Sequence, residues 1–209
     1  MDLGLEGAKV MILGASRGIG RMTAEIFAAE GADLAICARN LDALEVAKAD
    51  LVVVGKGSVY AATADLADAE SLSSFVQAGI QELGGLDILI HNATGISGQD
   101  EAGWRGTFEV DVLGAVRAIE VAQPILEKSE NASITFIGST ASKQWFGRWS
   151  SYGPMKGAMR VLANEMGQAL GKRGIRVNAL SPGATWFPGG SWDRTKEANP
   201  DFYKSVERS

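Results

Sequence analysis

The length, composition and charge of the chain exclude several classes of protein. Its 209 residues suit one domain, and 46% hydrophobic with 22% charged residues is the usage of a globular protein rather than of a disordered chain or a coiled coil. Twenty Lys and Arg face 25 Asp and Glu, so a net charge of −5 offers no overall basic excess for a phosphate backbone. We therefore expect one domain over residues 1–209 and no nucleic-acid partner.

The cysteine and histidine counts narrow the chemistry further. The chain has one cysteine, Cys37, and one histidine, His91. These counts exclude an internal disulfide framework and argue against a zinc or multi-histidine metal site. No apolar run approaches the length of a membrane span, and the first ten residues are too polar for a signal peptide. The sequence therefore predicts a cytoplasmic protein without a membrane or a metal as partner.

Short apolar runs alternate along the chain with longer segments of helical spacing. The runs are partly β-branched and do not alternate with polar residues, as in strands buried on both faces, and they occupy residues 9–13, 33–38, 58–62, 86–91, 133–138 and 175–180. The helical segments are 19–30, 40–51, 69–83, 107–126 and 152–170, with Pro124 expected to kink or end the fourth. This order predicts an α/β protein with a doubly wound parallel sheet flanked by helices.

The end of the chain departs from this pattern. Residues 184–209 are mixed in character, and we interpret them as a substrate-loop region with a loop and one short helix. Trp186, Phe187 and Trp192 lie in a Gly- and Pro-rich stretch, which favours a substrate lid over a packed core. The strand predicted before them would be an open apolar edge, which proteins usually cover.

A glycine-rich turn joins the first predicted strand to the first predicted helix. The residues from Gly14 to Gly20 read GASRGIG. Gly14 permits the tight turn, Gly18 lets the backbone approach a pyrophosphate, and Gly20 lets the helix pack closely on the strand. The helix N-terminus supplies free N–H groups and a partial positive charge. Because no Lys-Ser or Lys-Thr follows these glycines, the turn predicts a dinucleotide site and excludes a P-loop nucleotidase.

The end of the second predicted strand bears on which dinucleotide binds. A protein that binds NAD places an acidic residue there to accept a hydrogen bond from the adenosine ribose. Here the strand ends in Ala38, Arg39 and Asn40, without an acid. Arg39, with Arg17 on the opposite side, would instead bind a 2′-phosphate. This pattern favours NADP(H), and NAD(H) is the alternative. The simplest interpretation of Arg39 is a solvated residue that opens the next helix.

A tyrosine and a lysine one helical turn apart are the candidate catalytic pair. Tyr152 and Lys156 share one face at the start of the last long helix. A nearby ammonium stabilises a phenolate, so such a pair can pass a proton to or from a carbonyl or alcohol oxygen. Ser139 follows the fifth predicted strand, at the end where parallel sheets bind ligands, and its hydroxyl would polarise a carbonyl.

Taken together, these motifs resemble the short-chain dehydrogenase/reductase family in its common short form. The resemblance spans about residues 4–183, and it depends on Gly14, Gly18, Gly20, Asp65-Leu66, His91-Asn92-Ala93, Ser139, Tyr152, Lys156 and Pro182-Gly183 in this order and spacing. It implies a Rossmann-type sheet, a nicotinamide cofactor and a homodimer or homotetramer. It also implies that the catalytic residues are Tyr152 as general acid/base, Lys156 on the nicotinamide ribose and Ser139 on the substrate oxygen.

The same resemblance, with the glycine motif, gives the expected cofactor contacts. Asp65 and Leu66 would contact adenine, Asn92 and Ala93 would line the cofactor path, and Pro182-Gly183 would flank the nicotinamide. The full predicted set is Gly14, Ser16, Arg17, Gly18, Ile19, Gly20, Arg39, Asp65, Leu66, Asn92, Ala93, Tyr152, Lys156, Pro182, Gly183 and Thr185.

Several residues depart from the family pattern. Asp111 stands where relatives usually have Asn, and its carboxylate would pair with Lys156 and weaken the pull of the ammonium on Tyr152. We therefore count Asp111 as a catalytic residue and hypothesise a shifted pH optimum. His91 stands where a first Asn is frequent, and we interpret it as structural. Thr185 is the nearest candidate for the usual threonine after Pro182-Gly183. The helix and strand that close the sheet in relatives are expected to be missing.

The sequence thus predicts an NADP(H)-preferring oxidoreductase that interconverts a ketone or 3-oxo group and a secondary alcohol by hydride transfer. Its partner would be a small carbonyl or alcohol compound. The alternatives are a nucleotide-binding module without turnover, which Asp111 makes plausible, and a nucleotide-sugar epimerase or dehydratase, which chain length and glycine spacing disfavour.

Overall fold

A single parallel sheet organises the molecule. The structure, a computed structural model, describes residues 3–145 and 147–207. Its six strands are ordered β3-β2-β1-β4-β5-β6, and all neighbouring pairs are parallel. The strands are β1 Lys9–Leu13, β2 Asp33–Ala38, β3 Val59–Thr63, β4 Ile88–His91, β5 Ser133–Ile137 and β6 Arg176–Leu180. The predicted doubly wound parallel sheet is confirmed.

Helices connect the strands and cover the sheet. They are α1 Gly18–Ala29, α2 Leu41–Val54, α3 Ala69–Leu83, α4 Glu101–Thr107, α5 Gly114–Leu126, α6 Tyr152–Gly171, α7 Ser191–Ala198 and α8 Pro200–Glu207. Local sequence determines where several helices begin. The side chains of Asn40, Asp68 and Asp100 each accept a hydrogen bond from an N–H in the first turn of the helix that follows. Among the described residues, no helix is long and apolar enough to cross a membrane.

Alternate side chains of the strands enter two cores on opposite faces of the sheet. In β1, Val10 and Ile12 belong to the core under α1 and α2, whereas Met11 and Leu13 belong to the core under α3, α5 and α6. All four side chains are fully buried. Burial on both faces explains why the strands are continuous apolar runs in the sequence.

The structure corrects two of the predicted segments. The helix predicted over 107–126 begins earlier, at Glu101, and is interrupted by a π-helical turn from Phe108 to Leu113. Periodicity missed this turn because a π turn inserts one residue and shifts the apolar stripe. Pro124 lies inside α5, which ends two residues later at Leu126. The C-terminal region contains two short helices, α7 and α8, where the sequence predicted one.

Strand β6 forms one edge of the sheet. Its side chains alternate between exposed Arg176, Asn178 and Leu180 and partly buried Val177 and Ala179. The edge is therefore half polar rather than the wholly apolar edge expected from the sequence. The other edge is β3, and β1 and β4 lie side by side at the centre, where the strand order reverses. Ligands of doubly wound sheets bind in the crevice outside the carboxyl ends at this point.

Candidate active site

A cleft of about 1510 Å³ lies along the carboxyl ends of the strands. The cleft is larger than the usual 300–1,000 Å³ of a small-molecule pocket, so it has room for two ligands side by side. The cleft brings together most of the residues predicted for the site: Gly14, Ser16, Arg17, Gly18, Ile19, Arg39, Asp65, Leu66, Asn92, Ala93, Ser139, Tyr152, Lys156, Pro182, Gly183 and Thr185. Gly20 and Asp111 lie behind this wall.

The turn after β1 is held open by glycines in left-handed conformations. Gly14 has φ +89° and Gly18 has φ +59°, values that other residues rarely adopt. A Cβ on Gly14 would lie 2.9 Å from the Cα of Ala93. The N–H groups of Gly14 and Ala15 each donate to the Cys37 carbonyl oxygen at 3.0 Å. The turn is therefore fixed to both neighbours of β1.

The start of α1 packs directly on this turn. A Cβ on Gly20 would collide with the Gly14 carbonyl oxygen and the Asn92 side chain. The Asn92 Nδ2 donates to the Gly14 carbonyl oxygen at 2.6 Å. Among the described residues, no side chain caps the N-terminus of α1, and its first turn holds no acid. These N–H groups therefore face the cleft with their partial positive charge uncompensated.

Charged side chains flank the phosphate-loop end of the cleft. Arg17 precedes α1 and Arg39 follows β2, and both are exposed and line the cleft. Neither guanidinium has a hydrogen bond or ion pair with another described residue. Asp65 lines the same end, and its Oδ1 accepts from the Ala67 N–H at 3.0 Å. The arginines are thus available to an anion.

Tyr152 and Ser139 lie at the other end of the cleft. Tyr152 is the first residue of α6 and is half-buried, and its hydroxyl has no hydrogen-bond partner among the described residues. Ser139 follows β5, and its Oγ accepts from the Ala141 N–H at 3.1 Å, which leaves its proton free to donate. One acid/base group and one donor are therefore available to a ligand.

Lys156 and Asp111 form a buried ion pair behind Tyr152. The Lys156 Nζ lies 3.0 Å from Asp111 Oδ2 and 5.7 Å from the centre of the Tyr152 ring. The exposed fraction is 2% for the lysine side chain and 0% for the aspartate. Lys156 also donates to the Ile137 carbonyl oxygen at 3.0 Å. The pairing of Asp111 with Lys156 that the sequence suggested is present in the structure.

Both carboxylate oxygens of Asp111 accept further hydrogen bonds. Its Oδ2 accepts from the Thr94 hydroxyl at 2.9 Å, and its Oδ1 accepts from the Gly95 N–H at 2.8 Å. Asp111 lies in the π-helical turn, which carries its side chain toward the end of β4. The carboxylate therefore joins α6 to the segment that follows β4. Such hydrogen bonding is what allows a buried charge pair to persist.

His91 is buried beside this pair. The ring is 1% exposed, and Nε2 lies 3.0 Å from the Val110 carbonyl oxygen, so Nε2 carries the proton. Nδ1 has no partner among the described residues. Burial, and next the Lys156 charge, lowers the pKa of His91 to about 4. The ring is thus neutral at pH 7 and lies behind the cleft wall, as expected of a structural residue.

The sequence singled out Phe187 as a lid residue but did not predict that it meets the phosphate loop. Thr185 is exposed, and its hydroxyl donates to the Gly183 carbonyl oxygen at 3.3 Å. The Phe187 ring instead packs on Gly18, so that a Cβ on Gly18 would lie 2.7 Å from Phe187 Cζ. The only sequence signal was an aromatic residue in a Gly- and Pro-rich loop.

The other aromatic residues of the predicted lid take part in local packing. The Trp192 ring stacks on Phe202 with centroids 6.0 Å apart. Trp186 is 49% exposed, and its Nε1 donates to Asp193 Oδ1 at 3.0 Å. Phe187, Trp192 and Phe202 line the cleft. These three rings therefore form an aromatic wall of the cleft.

The fold and this site together define the class of protein. The model of the short chain dehydrogenase family matches residues 8–194. The chain belongs to this family, and the resemblance noted in the sequence is confirmed.

Comparison with individual proteins gives the same result. The chain is similar to isoepoxydon dehydrogenase of Penicillium expansum, with 34% identity over 206 residues that cover 97% of this chain and 80% of the relative. It is similar to 7alpha-hydroxysteroid dehydrogenase of Escherichia coli, with 31% identity over 88% of this chain and 73% of the relative. The crystal structure of L-sorbose reductase from Gluconobacter frateurii, complexed with NADPH and L-sorbose, matches with a TM-score of 0.87 and 29% identity over 100% of this chain and 82% of that one.

Proposed function

We propose that this protein is an NADP(H)-dependent oxidoreductase that interconverts a ketone or 3-oxo group and a secondary alcohol. The observation that carries the proposal is the free hydroxyl of Tyr152 beside the buried Lys156, in the same cleft as the phosphate loop. The similar proteins include an isoepoxydon dehydrogenase and a hydroxysteroid dehydrogenase, whose names describe oxidations of alcohols.

The residues of the cleft fit a dinucleotide. The uncapped N-terminus of α1 suits a pyrophosphate, because its first N–H groups have no intrahelical partners. Asp65, Leu66, Asn92 and Ala93 line the path between the two ends of the cleft. Lys156 has three donors and uses two of them on Asp111 and Ile137, so the third is available to a ribose hydroxyl.

The proposed preference for NADP(H) depends on the two arginines at the phosphate-loop end. Arg17 and Arg39 both line the cleft, and their guanidinium groups have no partners among the described residues. A guanidinium binds a phosphate through charge-assisted, bidentate hydrogen bonds. No acid occupies the end of β2, where a ribose 2′-hydroxyl would need an acceptor. L-sorbose reductase, which is similar in fold, is complexed with NADPH.

The catalytic residues divide the chemistry among them. In the direction of reduction, Ser139 donates a hydrogen bond to the carbonyl oxygen and polarises it. Tyr152 gives its proton to that oxygen and is left as a phenolate, which the Lys156 ammonium stabilises. In the direction of oxidation, the phenolate takes the proton back from the alcohol. When bound, the nicotinamide ring supplies a hydride to the carbon that bears this oxygen, or accepts one from it.

Asp111 acts on Tyr152 indirectly, through its ion pair with Lys156. Its carboxylate holds the ammonium in place and offsets part of its charge, so the phenolate of Tyr152 is stabilised less than a lone lysine would stabilise it. The proposed consequence is an activity optimum shifted on the pH axis. Asp111 does not line the cleft, and so it acts as a positioning residue rather than on the substrate.

The proposal extends to the substrate and the assembly. The partner is a small carbonyl or alcohol compound. The aromatic wall of Phe187, Trp192 and Phe202, with Trp104 and Trp149 elsewhere in the cleft lining, favours a compound with an apolar or ring-shaped body. Residues 184–209 act as the substrate-loop region of a single catalytic domain. Family resemblance alone supports a homodimer or homotetramer.

Cofactor titration followed by a substrate screen tests the proposed function. NADPH and NADH are titrated separately, and carbonyl compounds are then screened by loss of absorbance at the reduced-nicotinamide band. We expect tighter binding of NADPH and turnover of at least one ketone. Binding without hydride transfer to any ketone of a broad panel would favour the alternative, a non-catalytic nucleotide-binding module. Absence of binding by either dinucleotide would refute both.

A further inference from the structure

The loop between β6 and α7 is attached to the rest of the molecule by few contacts. Here residues 183–189 are called the flap. Among the described residues, its backbone makes no hydrogen bond to the sheet or to α1–α6. Its bonds run to α7 instead: the Gly189 N–H donates to Asp193 Oδ2 at 2.8 Å, and Arg194 Nη1 donates to the Gly189 carbonyl oxygen at 2.8 Å. The flap and the start of α7 therefore form one lightly tethered unit.

Phe187 is the point at which the flap touches the phosphate loop. It is half-buried, whereas the other six flap residues are exposed. Its ring lies between two glycines, so that a Cβ on Gly18 would be 2.7 Å from Phe187 Cζ and a Cβ on Gly190 would be 2.9 Å from the same atom. The ring thus fills the space that these glycines leave open.

That space is the one a dinucleotide requires. The proposed function assigns Gly18 to the close approach of the backbone to a pyrophosphate, which a side chain at this position would block. The tip of the Phe187 ring stands on this same side of Gly18, 2.7 Å from where a Cβ would lie. Phosphate and phenyl ring are therefore alternative occupants of the face of Gly18.

We propose that Phe187 closes the flap on the phosphate loop and that the dinucleotide must displace this ring in order to bind. This inference rests on the proposed function, since it concerns the same dinucleotide site. Binding is then coupled to flap opening, and apparent affinity is reduced by the fraction of molecules whose flap is closed. Because the flap is bonded to α7, opening also moves Trp192, whose ring stacks on Phe202.

Association kinetics of NADPH with Phe187→Ala test the inference. NADPH fluorescence in stopped flow gives the association rate, and equilibrium titration gives Kd. Without the ring the open form is the main one, so we expect association about 10-fold faster and Kd several-fold lower than in the unaltered protein. Met22→Ala on α1 is the control, because Met22 is an exposed apolar residue that does not line the cleft. We expect its association rate to stay within about twofold of the original.

The outcomes separate this inference from the proposed function. If the unaltered protein binds NADPH and Phe187→Ala binds it more weakly, the ring packs on the bound cofactor and the inference is wrong. Equal association rates would overturn it as well. If neither protein binds NADPH or NADH, the proposed function itself fails.

Limited proteolysis provides a readout that needs no catalysis. Chymotrypsin cleaves after Trp186, which is 49% exposed, and cleavage is faster from the open flap because the protease needs an extended segment. We expect NADPH to accelerate this cleavage in the unaltered protein, and we expect Phe187→Ala to be cleaved fast with or without NADPH. Protection of Trp186 by NADPH in the unaltered protein, together with slow cleavage of Phe187→Ala, would contradict flap displacement.

Discussion

The two ends of the cleft are built in opposite ways. The phosphate-loop end depends on residues without side chains. Gly14, Gly18 and Gly20 allow close approach of the backbone and leave N–H groups free. At the catalytic end it depends on side chains that carry charge, since the ammonium of Lys156 and the carboxylate of Asp111 are both buried. One end therefore binds through geometry, and the other reacts through electrostatics.

This difference predicts how each end responds to change. At Gly14 and Gly20 an added methyl group has nowhere to go, because it would meet the Ala93 backbone or the Gly14 carbonyl oxygen. At the catalytic end the shape tolerates isosteric substitution, whereas the charge does not. Substitutions that preserve shape should consequently leave cofactor binding intact and alter the reaction.

The largest expected effect is that of Tyr152→Phe. Removal of the hydroxyl removes the proton donor and acceptor, so we expect kcat to fall roughly 10³-fold. The ring remains, and the dissociation constant of NADPH should change less than about twofold. Steady-state kinetics and fluorescence titration measure the two quantities. A parallel loss of NADPH affinity would contradict the prediction that binding and reaction depend on different ends of the cleft.

The next effect concerns His91 and stability. Its pKa of about 4 in the folded protein lies below the ordinary 6.5, so between these values the unfolded chain binds a proton that the folded chain does not. The contribution to stability is full above pH 6.5 and is lost as the pH falls toward 4. It amounts to about 3 kcal/mol.

Urea unfolding of the protein at pH 7 and at pH 4.5, compared with His91→Asn, measures this contribution. Asparagine keeps a donor near Val110 but does not titrate in this range. Between pH 7 and pH 4.5, we expect the free energy of unfolding to fall less in His91→Asn than in the unaltered protein. The same fall in both proteins would assign the acid sensitivity to other groups.

A smaller effect is expected for Arg39→Ala at the phosphate-loop end. Loss of a charge-assisted contact to the 2′-phosphate should weaken NADPH binding about 10-fold or more and leave NADH nearly unchanged. Parallel titrations with the two dinucleotides measure the difference. Equal weakening of both would discard the assignment of Arg39 to a 2′-phosphate.

The smallest expected effect is the pH shift of Asp111→Asn. The amide keeps the size of the carboxylate but no longer offsets the ammonium of Lys156. The ammonium then stabilises negative charge on the Tyr152 oxygen more strongly, so oxidation activity should persist to lower pH. Activity profiles between pH 5 and 10, with Asp65→Asn as a control, measure it. An unchanged profile would remove the carboxylate from the mechanism.

Much of the fold and part of the site were predictable from local patterns. Short apolar runs identified all six strands, and for the central strands burial on both faces explains the lack of polar alternation. The turn from Gly14 to Gly20 was recognisable because its backbone conformations and close contacts admit few residue types. The Tyr152 and Lys156 pair was visible because the helical repeat sets their relative position.

Tertiary structure decided what depends on residues distant in the chain. Asp111 lies 45 positions before Lys156, and only the π-helical turn and the packing of α6 bring the two within 3.0 Å. Likewise, Phe187 meets Gly18 only because β6 ends on the same side of the sheet as β1. Sequence patterns report spacing along one element, whereas contacts between elements depend on how the whole chain packs.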